Sequence, residues 1–212
     1  MLADPQVGSD VPIREFLTAL ASADSTQGAL SAAAVAGAMG TSLLLMVAAL
    51  PTTRSDSIDE RTALMRAGAA LGELQEQLIE TIETETAVKL FAARNLPQAS
   101  DTQRSKREAA IQFALRAAAD VPLEVIRLCA LGLTHAQTVA ASGCRAAGGE
   151  VELAVALLRV GLTGARSNLE ARLSTLTDVV YTKAVVEEIA HLSEEAMTAA
   201  RAAELSVQAP PA

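Results

Sequence analysis

Tryptophan is missing from this chain, tyrosine occurs once and phenylalanine three times, so aromatic residues fill only 2% of 212 positions. A core without large rings must be packed with Ala, Leu, Val and Ile, whose small volumes favour close helix–helix contact over sheet packing. Cysteine is almost absent too. Cys129 and Cys144 cannot build a disulfide framework, and neither stands in a Cys-x-x-Cys or Cys/His spacing. Reduced thiols in a cytoplasmic protein are the expectation. His135 and His191 lack a set of neighbouring ligands, so no metal is expected. Cations are outnumbered: 17 Lys and Arg against 25 Asp and Glu leave a net charge of −8, which speaks against nucleic acid as a partner. Met1 to Asp10 carries two acids and no base, unlike a secretory leader.

What the chain has in abundance is small apolar residues at helical spacing. Half of it is apolar, enough for one large helical domain over residues 1–207 with a frayed tail at 208–212. Ala32 to Leu50 reads as a helix in which Gly37 and Gly40 leave a flat stripe for another backbone. Its nineteen uncharged residues could span a bilayer by length, but Ala and Gly are weakly apolar, Thr41 and Ser42 interrupt the run, and no Trp or Tyr anchors it. We therefore expect a buried central helix and no membrane. A turn-prone loop, Ser25 to Ser31, enters it, at an end where free N–H groups and the helix dipole favour an anionic or electron-rich ligand.

The remaining punctuation divides the chain into further helices. Pro12 opens a first one, with Ile13, Phe16, Leu17 and Leu20 at helical spacing. Ala63 to Asn95 reads as one long amphipathic helix ended by Leu96-Pro97, and Arg104 to Ala141 as another with a kink expected at Pro122. A loop from Ser142 to Gly149 precedes helices over Glu150 to Leu173 and Asp178 to Leu205. The fold class is all-α, a bundle of long helices around the small-residue helix, assembled as a dimer.

The order of these signals resembles one family. Ile111, Gln112, Ala114, Leu115, Val121, Pro122 and Leu123 match the I-Q-x-A-L-x-x-A-x-x-V-P-L core of the folate cyclodeaminase/cyclohydrolase family, which includes the C-terminal domain of formiminotransferase-cyclodeaminase. Gly37, Ala38, Gly40, Met46 and Val47 fall on the family's glycine-rich helix. Leu96-Pro97, Arg107, Gly143, Gly161, Ala165 and Asn168 follow in the family's order, and the resemblance covers nearly the whole chain.

The resemblance implies an all-helical homodimer that takes a small-molecule folate, a tetrahydrofolate derivative, as substrate, without a covalently bound cofactor. It would hydrolyse 5,10-methenyltetrahydrofolate or close 5-formiminotetrahydrofolate with loss of ammonia. Both reactions pass through a tetrahedral adduct at an amidinium carbon, which requires a proton-moving group and a polar wall. Position by position, Glu83 and Glu150 stand for the family's catalytic acids, and Thr26, Gly28, Leu30, Ser31, Arg107 and Asn168 for its substrate-binding residues. The chain departs from the pattern in places. Ala29 and Leu30 replace loop glycines, both acids are Glu in place of Asp, Cys144 replaces an asparagine, and Arg172 replaces a second asparagine after Asn168. The same scaffold turned to another folate-related reaction, or a non-catalytic binding homologue, remains an open alternative at this stage.

Overall fold

The computed structural model describes residues 12–22, 28–82, 94–97 and 100–209. Within them, six α-helices follow one another: α1 (Ile13–Leu20), α2 (Gly28–Ala48), α3 (Ile58–Ile82), α4 (Asp101–Ser142), α5 (Gly148–Leu173) and α6 (Val179–Gln208), with a 3-10 turn at Arg145–Ala147 before α5. Among the described residues the only sheet-like pairing is an isolated bridge between Thr53 and Gly143, which ties the α2–α3 connector to the end of α4. The expected boundaries shift at several starts. Helix α2 begins at Gly28, four residues before Ala32, so Gly28 to Ser31 form its first turn instead of a loop. Helix α3 begins at Ile58, because Ser57 caps the Asp59 amide and Glu60 accepts from the amide and hydroxyl of Ser55. Helix α4 begins at Asp101 behind a reciprocal capping box between Ser100 and Gln103. It runs unbroken through the buried Pro122. The expected continuation of α3 over 83–93 lies outside the described residues.

Small residues determine how the helices cross. A Cβ on Gly40 would lie 2.8 Å from Leu158 Cγ and 2.9 Å from the Ala154 carbonyl oxygen. One on Gly161 would lie 2.9 Å from the Ala33 carbonyl oxygen and 2.8 Å from Cys129 Sγ. Helices α2 and α5 therefore meet backbone to backbone and run antiparallel, Gly40 beside Ala154 and Ala33 beside Gly164. Helix α3 is antiparallel to α2 as well: Gly68 faces Ala48, Gln75 donates to the Ser42 hydroxyl, and Leu78 faces Gly37. On the third side α4 runs parallel to α2, Cys129 against Gly37 and Gly132 near Thr41.

Helix α6 is parallel to α4, joined by Arg127 to Glu188 at 2.7 Å and by the Tyr181 hydroxyl, which donates to Asp120 at 2.6 Å. Leu44, Leu64, Leu71, Leu78, Ile126, Leu133, Leu158 and Leu169 are fully buried between these helices, each contributing on the order of 2 kcal/mol. Helix α2 is long and apolar enough to cross a membrane, yet its inner face is buried by α3, α4 and α5, the central position expected of it.

The alternation of directions collects the C-termini of α2, α4 and α6 at one end, where arginines cap them. Arg54 donates to the carbonyls of Ala140 and Ser206, Arg61 to those of Leu50 and Pro51, and Arg145 to that of Ala209. A cation beside carbonyls that lack helical partners satisfies hydrogen bonds and opposes the dipole together. The opposite end, where α2 begins and α3 and α5 finish, holds Gly28, Leu30, Ser31 and Asn168.

Candidate functional site

The first turn of α2 is the floor of that end. Ser31 is buried, Ala29 is exposed, and Leu30 is half-buried and packs against the core. Leu30 therefore faces into the bundle, on the same side of α2 as Gly37, Thr41 and Ala48, and does not stand across the opening. Helix α5 supplies the wall. Gly161, Ala165, Asn168 and Arg172 share the face that packs on α2, spaced i, i+4, i+7 and i+11. Since a Cβ on Gly164 would touch Ala33 at 3.1 Å, Asn168, one turn later, stands level with the first turn of α2. Its side chain is half-buried and its Oδ1 accepts from Arg172 Nε at 2.7 Å.

Gly28, Leu30, Ser31 and Asn168 are thus brought together. Arg107 and Glu150 are not. Eighteen residues of α5 separate Glu150 from Asn168, about 27 Å of helix, and Glu150 sits in the first turn of α5 at the arginine-capped end. Arg107 lies twenty-two residues before Cys129, about 33 Å back along α4, where it donates to the Arg94 carbonyl at 3.0 Å. That stretch of α4 projects past α2 and carries the exposed Phe113. Thr26 and Glu83 lie outside the described residues.

Arg172 is the residue that the structure adds to this end of the bundle, beside Asn168. A charged residue four positions after Asn168, on a face otherwise made of Gly and Ala, was the available signal. Burial pushes its guanidinium pKa down. At the opposite end, Cys144 precedes the 3-10 turn. Its thiol is held below the ordinary range by a hydrogen bond with the Thr52 side chain, then by the backbone of Ala146 and Ala147. Cys129 is the reverse case: burial beneath Gly37 and Gly161 pushes its pKa up to about 12.

A shallow depression of about 440 Å³ between α4 and α6 is lined by Thr134, Gln137, His191, Glu194, Glu195 and Thr198. It contains none of the candidate residues, and its two carboxylates oppose an anionic ligand. Among the described residues no group of three His, Cys, Asp or Glu side chains is placed to hold a metal. The arrangement at the start of α2 offers amide, hydroxyl and guanidinium donors to an electron-rich ligand.

Comparison with known proteins agrees with this architecture. Residues 12–191 match the family model described as formiminotransferase-cyclodeaminase. The chain is 31% identical to methenyltetrahydrofolate cyclohydrolase of Methylorubrum extorquens over 87% of its own length and 89% of that protein's. It is 30% identical to formimidoyltransferase-cyclodeaminase of Sus scrofa over 89% of its length, but spans only 35% of that longer protein. In three dimensions it is similar to formiminotetrahydrofolate cyclodeaminase of Thermotoga maritima, with a TM-score of 0.82 and 21% identity, over 94% of this chain and 96% of that one.

Proposed function

Because the chain belongs to the formiminotransferase-cyclodeaminase family, we propose that it is a folate one-carbon enzyme acting on the bridge between N5 and N10 of a tetrahydrofolate. The observation that carries this reading is the match along nearly its full length to a relative named methenyltetrahydrofolate cyclohydrolase, which favours the methenyl bridge as substrate. In the hydrolysis, water adds to the amidinium carbon and loses a proton, giving a tetrahedral carbinolamine. The bond from carbon to N5 then breaks as N5 takes up a proton and the hydroxyl gives up its own to become the formyl carbonyl, and the 10-formyl product leaves. The cyclodeaminase reaction traverses a similar adduct, with N10 as the nucleophile and ammonia as the leaving group.

A group that accepts and returns one proton is therefore needed beside the carbon, together with donors that do not reorganise as its charge changes. We assign the proton-moving role to Glu83, which lies outside the described residues. The polar wall we assign to Thr26, Gly28, Ser31 and Asn168, with Leu30 packed against the core. The folate is the substrate, and no covalently bound group is required.

The remaining assignments depend on a second copy. About 27 Å of α5 separates Glu150 from Asn168, so we place the role of Glu150, and that of Arg107 on the projecting arm of α4, in a homodimer that brings unlike ends of two copies together. Helix α2 offers a face for it, uncharged throughout and with Met39 and Met46 about half exposed. The adjoining Leu153 and Val160 of α5 are exposed as well. We place the dimer in the cytoplasm.

The test is an assay of the purified protein on 5,10-methenyltetrahydrofolate and 5-formiminotetrahydrofolate side by side, with Glu83→Gln as the control. Turnover of the methenyl substrate that falls at least a hundredfold in the variant is expected. Turnover of neither substrate would overturn the proposal.

A further inference from the structure

Helix α2 lies between α3 and α5 with α4 behind it, so the side of α2 turned away from α4 is the front of a three-helix layer. No charge stands on α2 from Gly28 to Leu50. Along its front Ala32, Val35, Met39, Leu43 and Met46 follow one another at steps of three and four residues, none of them buried. Helix α5 turns Gly161 to α2 and Leu158 to Gly132 of α4, which leaves Leu153 and Val160 on its front edge, both more than half exposed. The 21 residues of α2 make this strip about 31 Å long. With neighbouring helices about 10 Å away on either side it is about 20 Å wide, or on the order of 600 Å² per copy. A stable dimer buries roughly 800 Å² on each side, and a monomer rarely leaves so large an apolar patch in water.

Glu150 and Asn168 stand at the two ends of the seam between α2 and α5. Glu150, Ala154, Leu157, Gly161, Gly164 and Asn168 are spaced i, i+4, i+7, i+11, i+14 and i+18, one stripe of α5 whose middle falls beside Val160. Two copies that bury the same face in each other are related by a two-fold axis in the plane of contact. An axis along α2 would set the two central helices parallel, like dipole ends together, with α5 over the α3 helix of the second copy. An axis across α2 sets them antiparallel, with dipoles opposed and α5 over its own counterpart. Placed level with Met39 and Val160, this second axis exchanges the ends of the seam. Glu150 of one copy then comes within about two turns, along the helix axis, of Asn168 of the partner subunit, which offsets most of the 27 Å that separates the two residues within one chain.

We infer that the protein pairs antiparallel through this face, about an axis near Met39 and Val160, and that each site joins Asn168 and the first turn of α2 from one copy with Glu150 of the partner subunit. The inference rests on the folate reading above and supplies the symmetry that reading requires. Neither copy holds a complete site alone.

Subunit complementation tests the shared site. Asn168→Ala and Glu150→Gln homodimers are each expected to turn over 5,10-methenyltetrahydrofolate about tenfold more slowly than wild type or worse. Co-expressed with different affinity tags and purified through both, they give a mixed dimer in which one of two sites keeps both wild-type residues, so about half the wild-type turnover per dimer is expected. A mixed dimer no more active than its parents, or Glu150→Gln as active as wild type, would overturn the inference. The pairing is read without activity, by a short bismaleimide crosslinker in a Cys144→Ser background. Met39→Cys, near the axis, is expected to crosslink to its own counterpart, whereas Met46→Cys, about 21 Å from its own by twice seven residues of rise, is not. Equal crosslinking at both positions, or a wild type that sediments as a monomer at micromolar concentration, overturns the pairing. A wild type that turns over no folate overturns the folate reading and the shared site with it, while crosslinks and sedimentation judge the pairing by themselves.

Discussion

Replacing Gly161 by alanine gives the helical crossing a quantitative test. In an exposed helix interior the change would gain about 1 kcal/mol, because alanine loses less backbone freedom on folding. At Gly161 the new methyl would lie 2.8 Å from Cys129 Sγ, 2.9 Å from the Ala33 carbonyl oxygen and 3.2 Å from the Gly37 nitrogen. Two of these neighbours are backbone atoms, and the third belongs to a fully buried side chain, so none can withdraw cheaply. Overpacking of this kind costs about 1–3 kcal/mol beyond any propensity gain. We expect a net loss near 2 kcal/mol, or a melting temperature lower by about 4–8 °C for a chain of this size. Gly72→Ala is the matched control. No atom lies within 4 Å of its new methyl, and the melting temperature should rise by about 2–4 °C. Thermal melts followed by circular dichroism measure both. A Gly161→Ala protein melting at or above wild type would refute backbone-to-backbone contact of α2 and α5.

The two cysteines should separate under alkylation: native protein treated with iodoacetamide at neutral pH is modified at Cys144 and not at buried Cys129, as peptide mass spectrometry would show. Burial that raises the Cys129 pKa from 9.0 to about 12 stabilises the fold fully below pH 9, and that contribution is lost as pH rises toward 12. Denaturant melts should lose about 1.4 kcal/mol per pH unit in that window from this group, and Cys129→Ala should flatten the slope. Leu30→Gly should cost roughly 2–3 kcal/mol in the same melts and raise no folate activity, since Leu30 packs into the core; a gain in turnover would show that it obstructs the opening after all.

Much of the fold was legible because helix periodicity and glycine spacing are local signals. Gly37 and Gly40 announced a close crossing, and the structure supplies the partners, Cys129, Leu158 and the Ala154 carbonyl. Two displaced helix starts also had readable causes, Ser57 with Glu60 and Ser100 with Gln103, both capping patterns one turn long. The start of α2 was harder, since glycine at position 28 reads equally as loop or first turn, and only the inward packing of Leu30 decides it. Capping of three helices by Arg54, Arg61 and Arg145 could not be foreseen, for it depends on which helix ends the tertiary fold gathers together.

The candidate site was legible in part. Asn168 and the Gly28–Ser31 turn converge because α2 and α5 are antiparallel, a fact of packing. That Glu150 and Asn168 stand about 27 Å apart follows from helix rise alone and was readable in the chain. The bond from Arg172 to Asn168 was not, because it depends on which way the arginine side chain runs along α5.

The central claim, that the end of the bundle where α2 begins holds a reduced folate, is tested most directly by the melting temperature of wild-type protein titrated with 5,10-methenyltetrahydrofolate. A ligand bound only by the native state at a hundred times its dissociation constant adds about 2.7 kcal/mol, so a rise of about 5–10 °C that saturates is predicted. A melting temperature unmoved at every concentration of the folate would contradict the account.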